Sequence, residues 1–453
     1  MTQSLTPSTK RQLLSIMGTL PSDADALVAV LGVLPLTRLD RRAIAVAARQ
    51  PLTEVDQAVN ALLTAKLLEP VPNTDLLRVP KHVHEHATTL AARLREGERR
   101  EAWSRWARHL LDAAITAGSA LSSRAPLTPA CDAPDGVGWP FPAGDAAAAV
   151  AWLVERRTDL VTAVRAADTA GRHELEYQLV GALIVLAERH HLPEWPGLLT
   201  HYGVPAAELH GDIVATSRLL CALAEAHRRT GDHQKAEDHA RQALANTSAG
   251  LPSGGPPSAA ARPAGGNSTN APADTFTDTT KPIVLADIES RLTLASVHRS
   301  ARRTHQAVPI AAQALALADE AGDRRSMALA RIVRAEIAFD DGRPDEAINE
   351  LRQAIPLLQH TPDQFEEARA VALLGQAIAT TGDHRTAVMY LGEAHDRYVR
   401  AGSPLGEVQC LQWLGDIIGG ARGAELWAEA DNVRWAAGIP RRATQHLASS
   451  GGT

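Results

Sequence analysis

The stretch His82-Val-His-Glu-His86 is the densest group of side chains able to bind a metal or move a proton. His82 and His86 lie four apart, which puts both imidazoles on one helix face, as helical zinc sites require. The zinc-protease pattern fails here: His84-Glu85 would need a histidine at 88, where Thr88 stands. No cysteine or carboxylate ligand set accompanies the group, so it is read as a solvated helix start. His190-His191 stands at an expected helix end, where imidazole favours the negative pole of the dipole, and is read as structural. The chain has no Gly-x-Ser-x-Gly and no Cys/His constellation. It also has no Gly-x-x-x-x-Gly-Lys-Ser/Thr loop whose backbone amides would hold phosphates. Neither catalysis, nor a cofactor, nor a metal site is expected.

What remains is recognition chemistry, spread along the C-terminal half. Arg218, Glu225, Arg228, Glu289, Ser296, Arg299, Glu336, Arg369, Gln376, Gln409, Gln412 and Asp416 are polar or charged, with an apolar group at Leu329, Ile332 and Phe339. Guanidinium and carboxylate groups of this kind suit a peptide or protein segment. Their common placement depends on a repeat.

That repeat is written in small residues. Ala307, Ala347 and Ala387 fall 40 apart, each followed seven residues later by Ala314, Ala354 and Ala394. Twelve residues earlier stand Ala295, Ala335 and Gly375. Columns that share one period mark a helical repeat, with small side chains where two helices of a hairpin cross closely. The turns agree: Asp-Gly-Arg-Pro (341–344), Thr-Gly-Asp-His (381–384) and, earlier, Thr-Gly-Asp-His (230–233). Ala224, Ala236 and Ala243 occupy the same columns, out of register by a Pro/Gly/Ser-rich stretch over 248–281, read as a low-complexity insertion. A last, degenerate pair covers about 404–438, with Gly415 in the small column and Trp427 in place of alanine. The array therefore spans 213–438, and the first helix of each pair lines the concave side with the fifteen residues named above.

Ahead of the array, residues 1–20 are a polar lead-in and 22–118 a small domain. A first helix carries Leu27, Val30, Leu31 and Leu34 and ends at Pro35; Asp40 opens a second and Thr53 a third that runs on to Leu67. Two apolar runs around Asn73-Thr-Asp75 predict a β-hairpin, which completes a winged helix. One long charged helix follows over 82–118, in which the mixed run 93–101 is a salt-bridged solvent face. Residues 119–144 form an irregular linker, 145–212 helical transition hairpins, and 441–453 a loose tail. The fold class is mainly α, an N-terminal winged helix before an α-solenoid.

Composition fits this layout. Hydrophobic residues make up 45%, aromatics 4% and charged residues 22%, a mixture rich in helix formers. The net charge of −6 argues against coating nucleic acid or an anionic membrane. No run approaches the roughly 20 apolar residues of a membrane span. The three cysteines are far apart and odd in number, so a reducing, cytoplasmic setting is expected.

The turns and columns resemble tetratricopeptide repeats, although 40 exceeds that class's usual period of about 34. They are similar to the extended repeats of actinobacterial regulators of the STAND (signal-transduction ATPase) class. Those arms break after the second helix, as Ala321-Gly-Asp-Arg-Arg325 and Ala401-Gly-Ser-Pro404 do here. Leu31-Gly-Val-Leu-Pro35 and Ala61–Glu69 resemble that family's winged helix, and Ala151–Val164 and Glu194-Trp195 its following elements. The resemblance covers roughly 22–440. The family's phosphate loop is absent, and Pro80-Lys81 stand where its nucleotide-contacting His-Asp pair belongs. The resemblance therefore implies a regulatory half without its ATPase.

The expected function is a non-catalytic adaptor or regulator that binds a protein or peptide in the concave groove. Alternatives are a winged-helix DNA-binding regulator with peptide-sensing repeats, or a sensor half acting in trans with a separate ATPase. DNA is the less favoured partner, because the third helix sets Glu54 and Asp56 against Lys66 alone. No membrane partner is expected, and a homo-oligomer is compatible with the array.

Overall fold

The computed structural model describes residues 22–36, 38–72, 74–129, 131–132, 136–251 and 280–440. The expected lead-in 1–20, most of the 248–281 insertion and the tail 441–453 lie outside the described residues.

The chain opens with α1 (Ser22–Leu31), β1 (Arg38–Asp40), α2 (Arg41–Ala48), α3 (Leu52–Thr64), β2 (Glu69–Pro70) and β3 (Leu76–Arg78). Asp40 caps α2, accepting from Ala43 N at 2.7 Å. The strands form an antiparallel sheet in the order β1-β3-β2, with Leu39 opposite Leu77. The hairpin was expected and β1 was not, because three residues are too few to show a period of two. Three boundaries differ from expectation. Helix α1 stops before Gly32 rather than at Pro35; a Cβ at 32 would lie 2.0 Å from the Ala87 carbonyl oxygen of the crossing helix, so only glycine fits there. Helix α3 starts at Leu52 behind Pro51 without a side-chain cap, and Leu67 lies beyond its end. The helix expected over 82–118 is two, α4 (Lys81–Ala91) and α5 (Glu96–Leu121). The break is set where the Glu98 carboxylate accepts from Arg95 N at 3.0 Å and starts the second helix. Glu96 pairs with Arg100 on an exposed face there, at 3.1 Å.

Then come α6 (Ala146–Thr169), α7 (His173–Ala182), α8 (Ile184–Arg189), α9 (Trp195–Leu198), a π turn (Leu199–Gly203) and α10 (Val204–His210). A single apolar cluster runs from Leu27 to Ala243, so the small N-terminal unit and these helices share one core.

Five helix hairpins complete the chain: α11 (Ile213–Arg229) with α12 (His233–Gly250), α13 (Lys281–Ser300) with α14 (Thr304–Glu320), α15 (Arg324–Asp340) with α16 (Pro344–Leu358), α17 (Gln364–Thr380) with α18 (His384–Arg400), and α19 (Pro404–Ile418) with α20 (Gly420–Ala436). Helix α12 runs on to Gly250, into the stretch expected to be insertion. The Gly-Asp turns have a mechanical basis. Gly231, Gly322 and Gly382 take left-handed φ values of 81°, 62° and 90°, which end one helix. The next residues, Asp232, Asp323 and Asp383, accept from Lys235 N, Ser326 N and Thr386 N and start the next. The alanine columns are buried, and a Cβ on Gly375 would sit 3.0 Å from Leu391 and 3.2 Å from the Ala387 carbonyl. One column therefore packs directly on the other. Successive hairpins bury separate small clusters, as repeat arrays do.

The array curls back on the helices that precede it. At the α18–α19 turn, Gly402 has φ 61°, and a Cβ there would lie 2.5 Å from Val150 Cγ1 on α6. Ser403 Oγ donates to the Arg189 carbonyl at the end of α8, at 3.4 Å. Gly342 has a similar φ of 72° but open space around it. Alanine at either position costs about 1–2 kcal/mol for the left-handed backbone. Gly402→Ala should add about 1–3 kcal/mol from overpacking against Val150. Urea unfolding of the two variants side by side measures the difference, and equal midpoints would refute the closure contact.

Candidate functional site on the inner face of the array

Of the inner helices, α11 reaches α8 through Arg229, α17 reaches it through Phe365, and α13 reaches the connection after α5 through Glu289. From α11, Arg218 Nε lies 3.6 Å from Glu289 of α13, and both reach residues that the groove expectation had not included. Arg124, from the connection after α5, sets its guanidinium 2.9 Å from Glu188 of α8 and 3.3 Å from Glu289. Arg189, only 2% exposed, donates to the Leu121 carbonyl at 3.0 Å and lies over the Phe365 ring of α17, 5.0 Å from its centroid. Further along α11, Glu225 holds Arg228 at 2.6 Å and Arg229 at 2.9 Å. Arg228 continues to Ser300 Oγ at 3.0 Å, and Arg229 to the Ala187 carbonyl at 3.1 Å.

A second knot spans three hairpins. Glu336 of α15 takes Arg299 of α13 at 3.4 Å and Arg369 of α17 at 2.7 Å. Arg299 also reaches Asp340 at 2.8 Å, and Arg369 reaches Glu366 at 3.3 Å. At the start of α17, Asp363 binds Arg325 at 3.0 Å and accepts from Ser122 Oγ at 2.8 Å, Ser123 N at 3.1 Å and Ser123 Oγ.

The remaining expected groove residues divide. Ile332 is fully buried in the core between hairpins, and Leu329 and Phe339 pack against it, so the expected apolar groove patch is largely core. It was misplaced because Ile332 follows the same helical stripe as Ala328 and Ala335, which face the partner helix. Gln412 is buried, while Ser296, Gln376 and Gln409 are half-buried and uncharged. Asp416 is exposed and accepts from Trp427 Nε1 at 3.0 Å within its own hairpin. Arg124, Glu188, Arg189, Arg325 and Asp363 carry no periodic signal. Their contacts join positions as far as 241 residues apart.

Charge placement explains the ionisation. Burial works to raise the Glu188 carboxyl, but Arg124 and Arg189 outweigh it and hold it below the ordinary glutamate range. Glu336 behaves alike beneath Arg299 and Arg369, and Glu225 is likewise lowered by Arg228 and Arg229 despite its burial. Asp363 is lowered, since Arg325 and the two serines overcome its desolvation. Asp340 goes the other way: burial raises it beyond what Arg299 restores.

The candidate chemistry groups settle elsewhere. His86 is buried rather than solvated at the start of α4, and His190 caps the end of α8 with a pKa lowered by burial. Among the described residues no group of three or more His, Cys, Asp or Glu is placed to hold a metal ion. Burial pushes the Cys221 thiol up to about 12, and Cys410 rises for the same reason, so neither is a thiolate near neutral pH. Among the described residues no helix is long and apolar enough to cross a membrane.

The fold defines the class: a mainly α protein whose C-terminal part is an α-solenoid of tetratricopeptide-like helix hairpins. No protein-family model matches the chain, and no curated protein matches its sequence. Among solved structures it is similar to a signal-transduction ATPase with numerous domains (STAND) protein with a tetratricopeptide repeat sensor from Pyrococcus horikoshii. The identity is 12% and the TM-score 0.46, over 99% of this chain. The chain spans 65% of that protein's length. A Rap protein complexed with competence and sporulation factor matches at 15% identity and TM-score 0.42, over 66% of this chain and 80% of its own. A putative kinesin light chain repeat protein from Podospora anserina matches at 16% identity and TM-score 0.32, over 52% of this chain and 98% of its own.

Carboxylates with lowered pKa contribute stability that is present above the ordinary values of 4.5 and 3.8 and is lost as pH falls through the lowered ones. Asp363→Asn leaves Arg325 without its charge partner and should cost about 3–5 kcal/mol near neutral pH. It also removes one proton-linked term, so the loss of stability below about pH 4 should be shallower than in the wild type. Urea midpoints across that range measure both effects, and an unchanged slope would refute the assignment.

Proposed function

We propose that this protein is a non-catalytic, cytoplasmic helical-repeat regulator or adaptor whose inner face takes a protein or peptide segment. One observation carries the reading: that face already accommodates extended polypeptide. Ser122, Ser123 and Ala125 engage Asp363 and Arg218 through backbone as well as side-chain groups. Backbone bonds supply affinity for any chain, and the flanking charges select among chains. The N-terminal helices and three-stranded sheet act as a winged-helix docking module that fixes the array's first hairpin.

Ser296, Gln376 and Gln409 are inward-facing in this reading and belong to no charge pair, so they can be changed without stranding a buried ion. Ser296→Arg, Gln376→Arg and Gln409→Arg together should reduce recovery of co-purifying partners at least about tenfold, against an unchanged thermal melt. Identical partner recovery from a folded triple variant would remove the inner face from the binding reading.

A second reading, a DNA-binding regulator, has one observation in its favour. Arg38, Arg78, Lys81 and His84 line an open depression beside the sheet. Neighbouring carboxylates offset it: Glu69 faces Arg78 at 3.8 Å, Glu85 faces Lys81 at 4.0 Å, and Asp56 holds Arg41 of α2 at 2.9 Å. Phosphate binding by a few basic residues is strongest at low salt. No retention on duplex DNA is expected at about 50 mM salt, and a band shift lost in Arg78→Glu with Lys81→Glu would reverse that preference.

A further inference from the structure

The connection between α5 and α6 is not simply a linker. Immediately after α5, Ser122 turns extended, with φ −155° and ψ 142°. The segment Ser122-Ser-Arg-Ala-Pro-Leu127 then crosses the inner face and is recognised along its length. Asp363 accepts from Ser122 Oγ, Ser123 N and Ser123 Oγ. Glu188 and Glu289 share the Arg124 guanidinium, at 2.9 and 3.3 Å. Arg218 donates to the Ala125 carbonyl at 2.6 Å. Leu127 seats on Gly181 of α7, where a Cβ would come 2.3 Å from Leu127 Cδ1.

This is how a groove binds a separate peptide: three donors on a carboxylate, a guanidinium between two carboxylates, a carbonyl on an arginine, and an apolar side chain in a glycine notch. The three polar contacts come from α8, α11, α13 and the start of α17, and α7 supplies the notch. They are parts of a preformed surface, not of a local turn. Ser123, Ala125 and Pro126 are exposed along the outer edge, and among the described residues no helix or strand includes the segment Ser122–Leu127. It can therefore leave without unfolding a helix. When it leaves, Glu188 and Glu289 face each other's helices with a cation removed. A planar guanidinium, with its forked donors, spans two such carboxylates better than an ammonium.

We propose that Ser122–Leu127 is a built-in occupant of a peptide site, and that the ligand displacing it is an extended peptide carrying an arginine. The proposal rests on the inner-face reading above and specifies its ligand. The probe is a fluorescein-labelled peptide, Leu-Ser-Ser-Arg-Ala-Pro-Leu, titrated by anisotropy into the full chain. Arg124→Ala should vacate the carboxylate pair and bind this peptide at least about tenfold tighter than the wild type. The same peptide with alanine in place of arginine should not bind, and Glu289→Ala added to Arg124→Ala should abolish binding. Should Arg124→Ala fail to fold, Ser122→Ala with Ser123→Ala weakens the occupant at Asp363 and leaves the carboxylate pair intact. Equal peptide affinity in wild type and folded variants, or binding that ignores the arginine, overturns the proposal. That result with partner recovery still sensitive to Gln376→Arg overturns the occupant alone. Tight, arginine-dependent peptide binding supports it whatever the partner experiment shows.

Discussion

A guanidinium that is 2% exposed is the constraint on which the rest of the molecule is arranged. Arg189 cannot be deprotonated to escape its burial, so carboxylate and carbonyl oxygens have to be brought to it. Glu188 lies beside it in sequence, but Leu121 and Phe365 come from far away, and Ser403 bonds its carbonyl. Arg124, Arg218 and Arg325 add further positive charge nearby, and Glu289 and Asp363 balance it from two different hairpins. An array that unrolled would separate these pairs and uncover the apolar surface packed around them. The curvature of the solenoid is therefore tied to charge matching around α8 as well as to helix packing.

Ion pairs of this kind contribute little net stability compared with an apolar core of the same shape, since desolvation offsets most of the attraction. Their effect is on register. Glu336 accepts from arginines on the hairpin before and the hairpin after its own, so a one-residue slip of α15 would separate both. The stability itself comes from packing: fully buried alanine columns within the first four hairpins, and small apolar clusters between neighbours. The two systems are spatially separate, one between the helices of a hairpin and one on the inner surface. The charge pairs of the inner surface can therefore vary without disturbing the packing of the repeats.

At the other end of the chain the division is different. The small N-terminal unit does not stand apart from the helices behind it, because one apolar cluster runs from Leu27 to Ala243. Arg156 of α6 reaches back to Asp40 at 2.8 Å while holding Asp159 at 3.2 Å, which pins the cap of α2 to the transition helices. The N-terminal unit, α5–α8 and the first hairpin thus form one rigid base, and the later hairpins wrap from it.

The sequence by itself determined the repeat. A period of 40, glycine–aspartate turns and alanine columns are local signals, produced by helix geometry and by the left-handed residue that ends each helix. Asp40 as a cap and the hairpin of the small sheet were legible for the same reason. The spacing placed Arg218, Glu225, Arg228, Glu289, Arg299, Glu336 and Arg369 on the first helices of the hairpins, and the structure joins them into charge pairs that the spacing did not predict. The same spacing misassigned Ile332, because one helical stripe serves both a groove edge and a core. Only the tertiary structure decided that Ser122 and Ser123 meet Asp363. Those positions lie in a connection without period and at a helix start some 240 residues later. A hydrogen bond between such positions depends on how far the array curls, a cumulative property of all its hairpins that no single stretch of sequence encodes.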